Sequence, residues 1–562
     1  MLSRFNICIV VTIVLVFISP TQLNAQVPRY VISFKDKQNN PYSLSVPLSF
    51  LSQRSIDRRI RQHIPLDSTD LPVSPVYLDS IAKSGNIKIL YTSRWFNYVA
   101  IQTSDEQALE KIRHYSFVTS TDMTGTRISQ DKRIAKQLTP DPPPISARDA
   151  DLTVYGQAAA QIHLHEGEYL HHNKYQGENM LIAVLDAGFP AVDNNRAFSY
   201  LREHNNILGT YDFVNTTTNV YGNASHGAEC LSIMASKLPG EMTGTAPAAA
   251  YLLLRTEDTG SEQPIEENNW EAALEYADSA GTDIISSSLG YNTFDNPFTS
   301  YTYSQFNGHT TMMARAAAIA AIKGMIIVCT TGNEGNSDWK YILSPADADN
   351  ILSIGAINKD GAVTVFSGRG PTADGRIKPE VVSLGVSTSF VNTAGAVTTG
   401  TGTSFASPVI AGLTACLWEA FPDRSNLEII QAVKAAGSQY NTPDNNSGYG
   451  IPNFHTAFDL LLNKQWQDST KIAAVLKNNW IKAFPNPFTD RVKLQLHNTD
   501  GKAINLLLYN NAGQLVKQTI LTTGSGYFYV EWPEDLSDLP QGVYYLQAKK
   551  GNDKATIQLL KL

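Results

Sequence analysis

The chain has 562 residues, 17% charged and 43% hydrophobic, with a formal net charge of −8. That length suits about three or four folding units. A charge content below the roughly 25% of average domains, with 25 Tyr and 21 Phe, excludes a disordered chain. No block of like charge gives a nucleic-acid footprint. Four cysteines over this length make no disulfide framework. Cys230, Cys329 and Cys416 each lie in apolar runs and read as buried free thiols; Cys8 lies in a removable leader.

That leader has Arg4 at its start, an apolar run over 7–18, Pro20, and Ala25 before Gln26. It reads as a secretory signal peptide, too short for a comfortable membrane span. Residues 29–122 then give a strand at 29–34, a helix at 76–84, strands at 87–91 and 97–102, a capping box led by Ser104, a helix at 108–113 and a strand at 116–121. The order β-α-β-β-α-β is ferredoxin-like. The basic stretch from Arg54 to Arg61 is expected to be a solvated helix face. A proline-rich run at 139–144 reads as an extended, protease-accessible linker.

From about Asp151 to Leu462 the pattern is helix, glycine, apolar strand, repeated, the grammar of a parallel sheet whose ligands bind at the carboxyl ends of its strands. Beyond the Phe484–Phe488 segment the pattern is β-only and fits a small sandwich.

Chemistry collects at the strand ends. Asp186 follows the strand 181–185, His226 follows Ser225 at a helix start, and Ser404 sits in Gly402-Thr403-Ser404-Phe405-Ala406-Ser407-Pro408 where another helix begins. A serine at a helix N-terminus has free N–H groups beside its hydroxyl, which an acyl-transfer oxyanion requires. Serine needs a base, and the base an orienting carboxylate. Asn333, after the strand 325–330, falls on the same sheet edge and offers a second oxyanion donor.

The order Asp186, His226, Ser404 and the four motifs resemble the subtilases, the subtilisin-like serine peptidases. The resemblance covers roughly 155–462. It implies a secreted serine endopeptidase acting on protein or peptide substrates, with catalytic Asp186, His226 and Ser404, and Asn333 in the oxyanion hole. Ser288, Leu289, Gly290 and Gly332 would line the primary specificity pocket, with Tyr291 in place of a frequent second glycine. Ala187 and Ala228 stand where relatives carry Ser or Thr and Thr, without removing a reacting group.

The N-terminal region resembles subtilase propeptides and would act as an intramolecular inhibitor. The C-terminal region resembles the sorting domain of the type IX secretion system of Bacteroidetes, implying export through both membranes, to the medium or the cell surface, with the outer-membrane secretion machinery as partner. The expected fold is α/β: a parallel-sheet subtilisin-like catalytic domain (148–464), preceded by a signal peptide (1–25) and a ferredoxin-like α+β propeptide with linker (26–147). A linker (465–483) and a small β-sandwich (484–562) follow.

His163, His165, His171 and His172 lack metal-ligand spacing and are expected to be a solvated, satisfied cluster. No loop has a calcium pattern, so no metal and no cofactor is assigned. The aromatics between Tyr291 and Phe306 are expected to form a small loop core rather than a lid. An α/β-hydrolase is excluded: Ala406 breaks G-x-S-x-G, and only His455 and His497 follow Ser404. The alternative readings are a catalytically silent subtilase-fold binding protein and an adhesin with a ligand-binding sandwich.

Overall fold

The computed structural model describes residues 27–127, 153–475, 480–498, 500–524, 526–532, 535–551 and 553–562. The expected leader and the proline-rich run lie outside the described residues.

The N-terminal domain consists of β1 (Val27–Phe34), α1 (Gln53–Arg61), α2 (Pro75–Ala82), β2 (Lys88–Ser93), β3 (Tyr98–Gln102), α3 (Glu106–Arg113) and β4 (Val118–Arg127). Its antiparallel sheet has the order β2-β3-β1-β4, as the β-α-β-β-α-β reading requires. Ile32, Val99 and Ile101 on one face pack against Tyr77 and Ile81 of α2 and Leu109 and Ile112 of α3. The cap of α3 is Asp105 rather than Ser104: its carboxylate accepts from Ala108 N and from Asn86 N, both at 3.0 Å, tying the helix to the loop before β2.

The basic stretch is not a solvated face. Arg58 and Arg59 are 1% and 2% exposed. Arg58 pairs with Asp278, Arg59 pairs with Asp278 and Asp70 at 2.8 Å each, and Arg54 pairs with Asp283. Those partners Asp278 and Asp283 lie more than two hundred positions along the chain, so local pattern carried no sign of them. Gly281 allows the approach. Its φ is +87°, and a Cβ there would lie 2.6 Å from Ser55 N of α1.

The central domain has a seven-stranded parallel sheet. Its spatial order is Val381–Leu384, Leu352–Ile357, Ile326–Thr330, Ile284–Ser287, Leu181–Asp186, Ala250–Arg255, Ile207–Asp212. Every residue of Leu181–Asp186 is buried, as a strand covered on both faces demands. One face packs Leu181, Ala183 and Leu185 against Trp270, Ala273 and Ala277 of the helix Pro264–Ala280 and the small residues of Met312–Ile322. Contacts on the other side come from His226–Ala235 and Thr403–Ala420.

Pro408 lies inside the helix Thr403–Ala420, beyond its first turn. Having no N–H, it leaves the carbonyl of Ser404 without its helical donor. Ser288 Oγ at 2.9 Å and Cys230 Sγ at 3.4 Å donate to that oxygen instead.

The insert after Gly290 is a loop core, as expected. Phe306 is fully buried and meets Trp339 edge-on, and Tyr301 OH donates to Glu267 at 2.8 Å. Within the histidine cluster, His165 and His171 are buried and hydrogen-bonded rather than solvated. His165 bonds Pro452 O (2.9 Å) and Ser383 Oγ (2.8 Å), and His171 bonds Tyr155 OH and Thr245 O at 3.0 Å each. Burial pushes both imidazoles down to about 4. The three described cysteines are free and buried.

Residues 456–562 form a second compact unit. Sheets of three strands (Ile481–Phe484, Lys493–Asn498, Gly526–Glu531) and four strands (Leu515–Leu521, Ile504–Asn510, Gly542–Lys550, Asp553–Lys561) enclose Leu494, Leu496, Leu506, Leu508, Leu546 and Leu559. This is the expected sandwich. The helix Phe454–Val475 extends past residue 465, and the first strand of this unit starts at Ile481. No helix among the described residues is long and apolar enough to cross a membrane.

Candidate active site

Three neighbouring strand ends, those of Leu181–Asp186, Ile284–Ser287 and Ile326–Thr330, and two helix starts, those of His226–Ala235 and Thr403–Ala420, make the site. Asp186 ends Leu181–Asp186 and is fully buried. Its Oδ1 accepts from His226 Nδ1 at 2.8 Å and from Ala187 N at 2.7 Å. Its Oδ2 is buried with no hydrogen-bond partner among the described residues. Burial by itself pushes the His226 imidazolium down, but the Asp186 carboxylate outweighs it and holds the proton affinity well above the ordinary histidine value. Cys230, one turn along the helix, places Sγ 3.9 Å from His226 Nε2. Burial pushes that thiol up, so it sits under the ring as a neutral group.

Ser404 is half-buried in the first turn of Thr403–Ala420. Its hydroxyl is turned to the Ser288 carbonyl at 3.4 Å rather than to His226. Rotation about the Cα–Cβ bond carries Oγ to other staggered positions, and nucleophile–base contacts tighten when substrate is bound. Asn333 follows Ile326–Thr330; its Oδ1 accepts from both Thr403 N and Thr403 Oγ1 at 2.9 Å. A backbone N–H can only donate, so the carbonyl oxygen faces Thr403 and Nδ2 is left as the donor.

Ser288-Leu289-Gly290 and Gly332 flank this point, and the sequence reading missed what stands between them. A Cβ on Gly332, at φ +87°, would lie 2.5 Å from Leu343 Cγ, and one on Gly290 would lie 2.8 Å from Leu343 Cβ. Leu343 fills the slot between the two glycines. Proximity through a distant loop gives no local sequence signal. Glu257 was missed as well. It accepts from Tyr291 OH, and burial pushes its carboxyl up to about 7, with the charge of Asp186 adding to the rise.

Two groups of described residues bring three ligand-type atoms within 4.8 Å of one another: Asp186, His226, Cys230 and Glu257, Glu262, Glu266. His226 Nδ1 is already engaged by Asp186, and the two oxygens of Glu266 by Asp258 N and Gln263 N, each at 2.7 Å. Neither group is assigned a metal.

Residues 177–450 match the model of the subtilase family. They form a subtilase domain. Residues 29–139 match the peptidase S8 propeptide domain of Bacteroidota, and 482–561 the secretion system C-terminal sorting domain. The protein is therefore exported, secreted or held at the cell surface.

The subtilase domain is similar to the thermophilic serine proteinase of Bacillus sp. (strain AK1), 28% identical over 49% of this chain and 61% of that protein. It is also similar to the serine protease AprX of Bacillus subtilis (strain 168), 27% identical over 48% of this chain and 64% of the other. The chain thus spans less than two thirds of the length of these curated relatives. MycP1 from Mycobacterium smegmatis is a similar solved structure, 19% identical with a TM-score of 0.43 over 57% of this chain and 89% of that one.

Proposed function

We propose that the protein is an exported serine endopeptidase, made as an autoinhibited precursor and cleaving peptide bonds through an acyl-enzyme. The observation that carries this is the 2.8 Å bond from His226 to the buried Asp186 beside Ser404, which lies on a helix start next to Asn333. Ser404 Oγ attacks the substrate carbonyl carbon while its proton passes to His226 Nε2. Asp186 orients the imidazole and stabilises the imidazolium. Ser404 N–H and Asn333 Nδ2 hold the oxyanion. Collapse breaks the C–N bond, the amine leaves with the proton from His226, and water repeats the sequence on the ester.

Ser288, Leu289, Gly290 and Gly332 are read as the walls of the primary pocket. Leu343 between the glycines makes it shallow and suits it to small side chains. The parts are divided as leader 1–25, propeptide and linker 26–147, catalytic domain 148–464, linker 465–483 and export domain 484–562, with type IX outer-membrane machinery as partner. The propeptide is read as the inhibitor because β4 runs onto the sheet's carboxyl-end edge. There Thr126 N donates to Gln263 Oε1 at 2.6 Å, and Gly125 leaves no room for a Cβ against Ile265.

Fluorophosphonate labelling of the processed protein, with the adduct mapped by mass spectrometry, tests the reading. A single adduct on Ser404, lost in His226→Ala, supports it. An unlabelled Ser404 in protein freed of its N-terminal domain would leave the silent binding protein.

A further inference from the structure

The helix Pro264–Ala280 turns Glu271 and Glu275, one turn apart, against β2 and β3 of the N-terminal domain. Both are buried, at 0% and 6% exposure. Glu275 is met by N–H groups: Arg94 N on Oε2 at 2.9 Å and Trp95 N on Oε1 at 2.8 Å. An N–H cannot accept, so Glu275 is the ionised partner. Glu271 Oε2 lies 2.6 Å from Tyr98 OH, which donates to it.

The remaining contacts converge on one atom. Ser93 Oγ lies 2.7 Å from Glu275 Oε1 and 3.0 Å from Glu271 Oε1, and it accepts the N–H of Phe96 at 2.9 Å. A serine hydroxyl carries one proton. Once that proton is given to the ionised Glu275, the contact with Glu271 has a hydrogen only if Glu271 supplies it. A carboxylic acid at Glu271 completes the count: its O–H donates to Ser93, Ser93 donates to Glu275, and Tyr98 donates to the other oxygen of Glu271.

We infer that docking of the N-terminal domain on this helix takes up one proton from solvent, held on Glu271 Oε1, so that the domain is gripped in acid and loosened as the pH rises. This deepens, and rests on, the reading of that domain as the enzyme's own inhibitor. Burial, reinforced by the charge of Glu275, holds Glu271 well above the usual carboxylate range. A group raised in the docked state contributes fully below its free value of about 4.3, and its contribution is lost as the pH climbs to the docked value. Across that window the docking constant falls about tenfold per pH unit.

Glu267, one turn before Glu271 on the same helix, is pushed up by burial to about 8, but its hydroxyl partner is Tyr301, outside the N-terminal domain, so it belongs to the background that the Gln comparison cancels. Asp278, Tyr91, Tyr98, Lys37 and Arg29 do not change in the same window. Asp278, on the same helix, is held well below the usual range: burial opposes this, but Arg58, Arg94 and Arg59 prevail. Tyr91 and Tyr98, from β2 and β3, are pushed up by burial. Lys37, beyond β1, is lowered by burial to about 8 and stays charged below that. Arg29 of β1, which faces Tyr91, keeps its charge throughout.

The test uses the full-length Ser404→Ala chain, so that catalysis does not enter and an inactive protein would read out equally. Opening of β1 and β3 is followed by amide hydrogen exchange from about pH 5 to 7. It is compared with Glu271→Gln in the same background, whose amide keeps both bonds and cannot titrate. Comparison at equal pH also cancels the exchange chemistry and the titration of distant acids. The ratio of opening constants, parent over Gln variant, is expected to rise about tenfold per pH unit; a ratio flat with pH would overturn the inference. Should the Gln variant fold poorly, infrared spectroscopy at neutral pH replaces it. The carboxylic C=O band is expected to shift when Tyr98→Phe removes the bond to that oxygen, and a band left in place would equally overturn it.

Discussion

Asn333 gives its carboxamide oxygen to Thr403 twice, accepting from the backbone N–H and from Oγ1 at 2.9 Å each. The pair fixes which end of the amide faces the site. In the proposed mechanism the donor acts on the oxyanion alone, so Asn333→Leu is expected to lower kcat by about 10²–10³-fold with little change in KM. Thr403→Val removes one of the two orienting bonds, about 1 kcal/mol, and should lower kcat about fivefold. Steady-state kinetics on a peptide substrate checks both.

Asp186 raises the proton affinity of His226, and only the neutral imidazole is a base. Activity is lost as pH falls through the raised value, so the acid limb of kcat/KM should lie above the ordinary histidine range of about 6.5. Asp186→Asn should cost about 10⁴-fold in kcat and move that limb to lower pH. A limb unmoved by the substitution would show that another group sets it.

Leu343 closes the slot between Gly290 and Gly332. Peptide substrates with alanine before the scissile bond are expected to outrun those with phenylalanine. Leu343→Ala should shift the ratio of their kcat/KM values toward phenylalanine by about 10–100-fold. Removing a buried leucine side chain costs about 2–5 kcal/mol of stability, so the ratio within each variant is the quantity to compare.

Asp278 receives Arg58, Arg59 and Arg94, all three from the N-terminal domain. Asp278→Ala leaves buried guanidinium groups without their counter-charge, which costs about 3–5 kcal/mol. The expected result is early loss of the N-terminal domain in limited proteolysis of the Ser404→Ala chain, with the sandwich unaffected. Simultaneous loss of both would place Asp278 in global folding instead.

The sequence by itself determined the architecture and the candidate site residues. Apolar runs punctuated by glycine set the parallel sheet, the β-α-β-β-α-β order set the N-terminal domain, and the motifs at strand ends and helix starts named Asp186, His226, Asn333 and Ser404. Such signals are local: periodicity, caps and turn residues act within a few positions, and a parallel sheet sends its strand ends to one edge. Tertiary structure alone decided what depends on distant encounters. It put Arg58 on Asp278, where a polar helix face had read as solvated. It buried His165 and His171, set Leu343 between two glycines of other segments, and gave the Ser404 carbonyl to Ser288 and Cys230 because Pro408 has no N–H to offer. Whether a charge meets water or a counter-charge depends on which surface the fold lays over it, and in this chain that surface comes from residues hundreds of positions away.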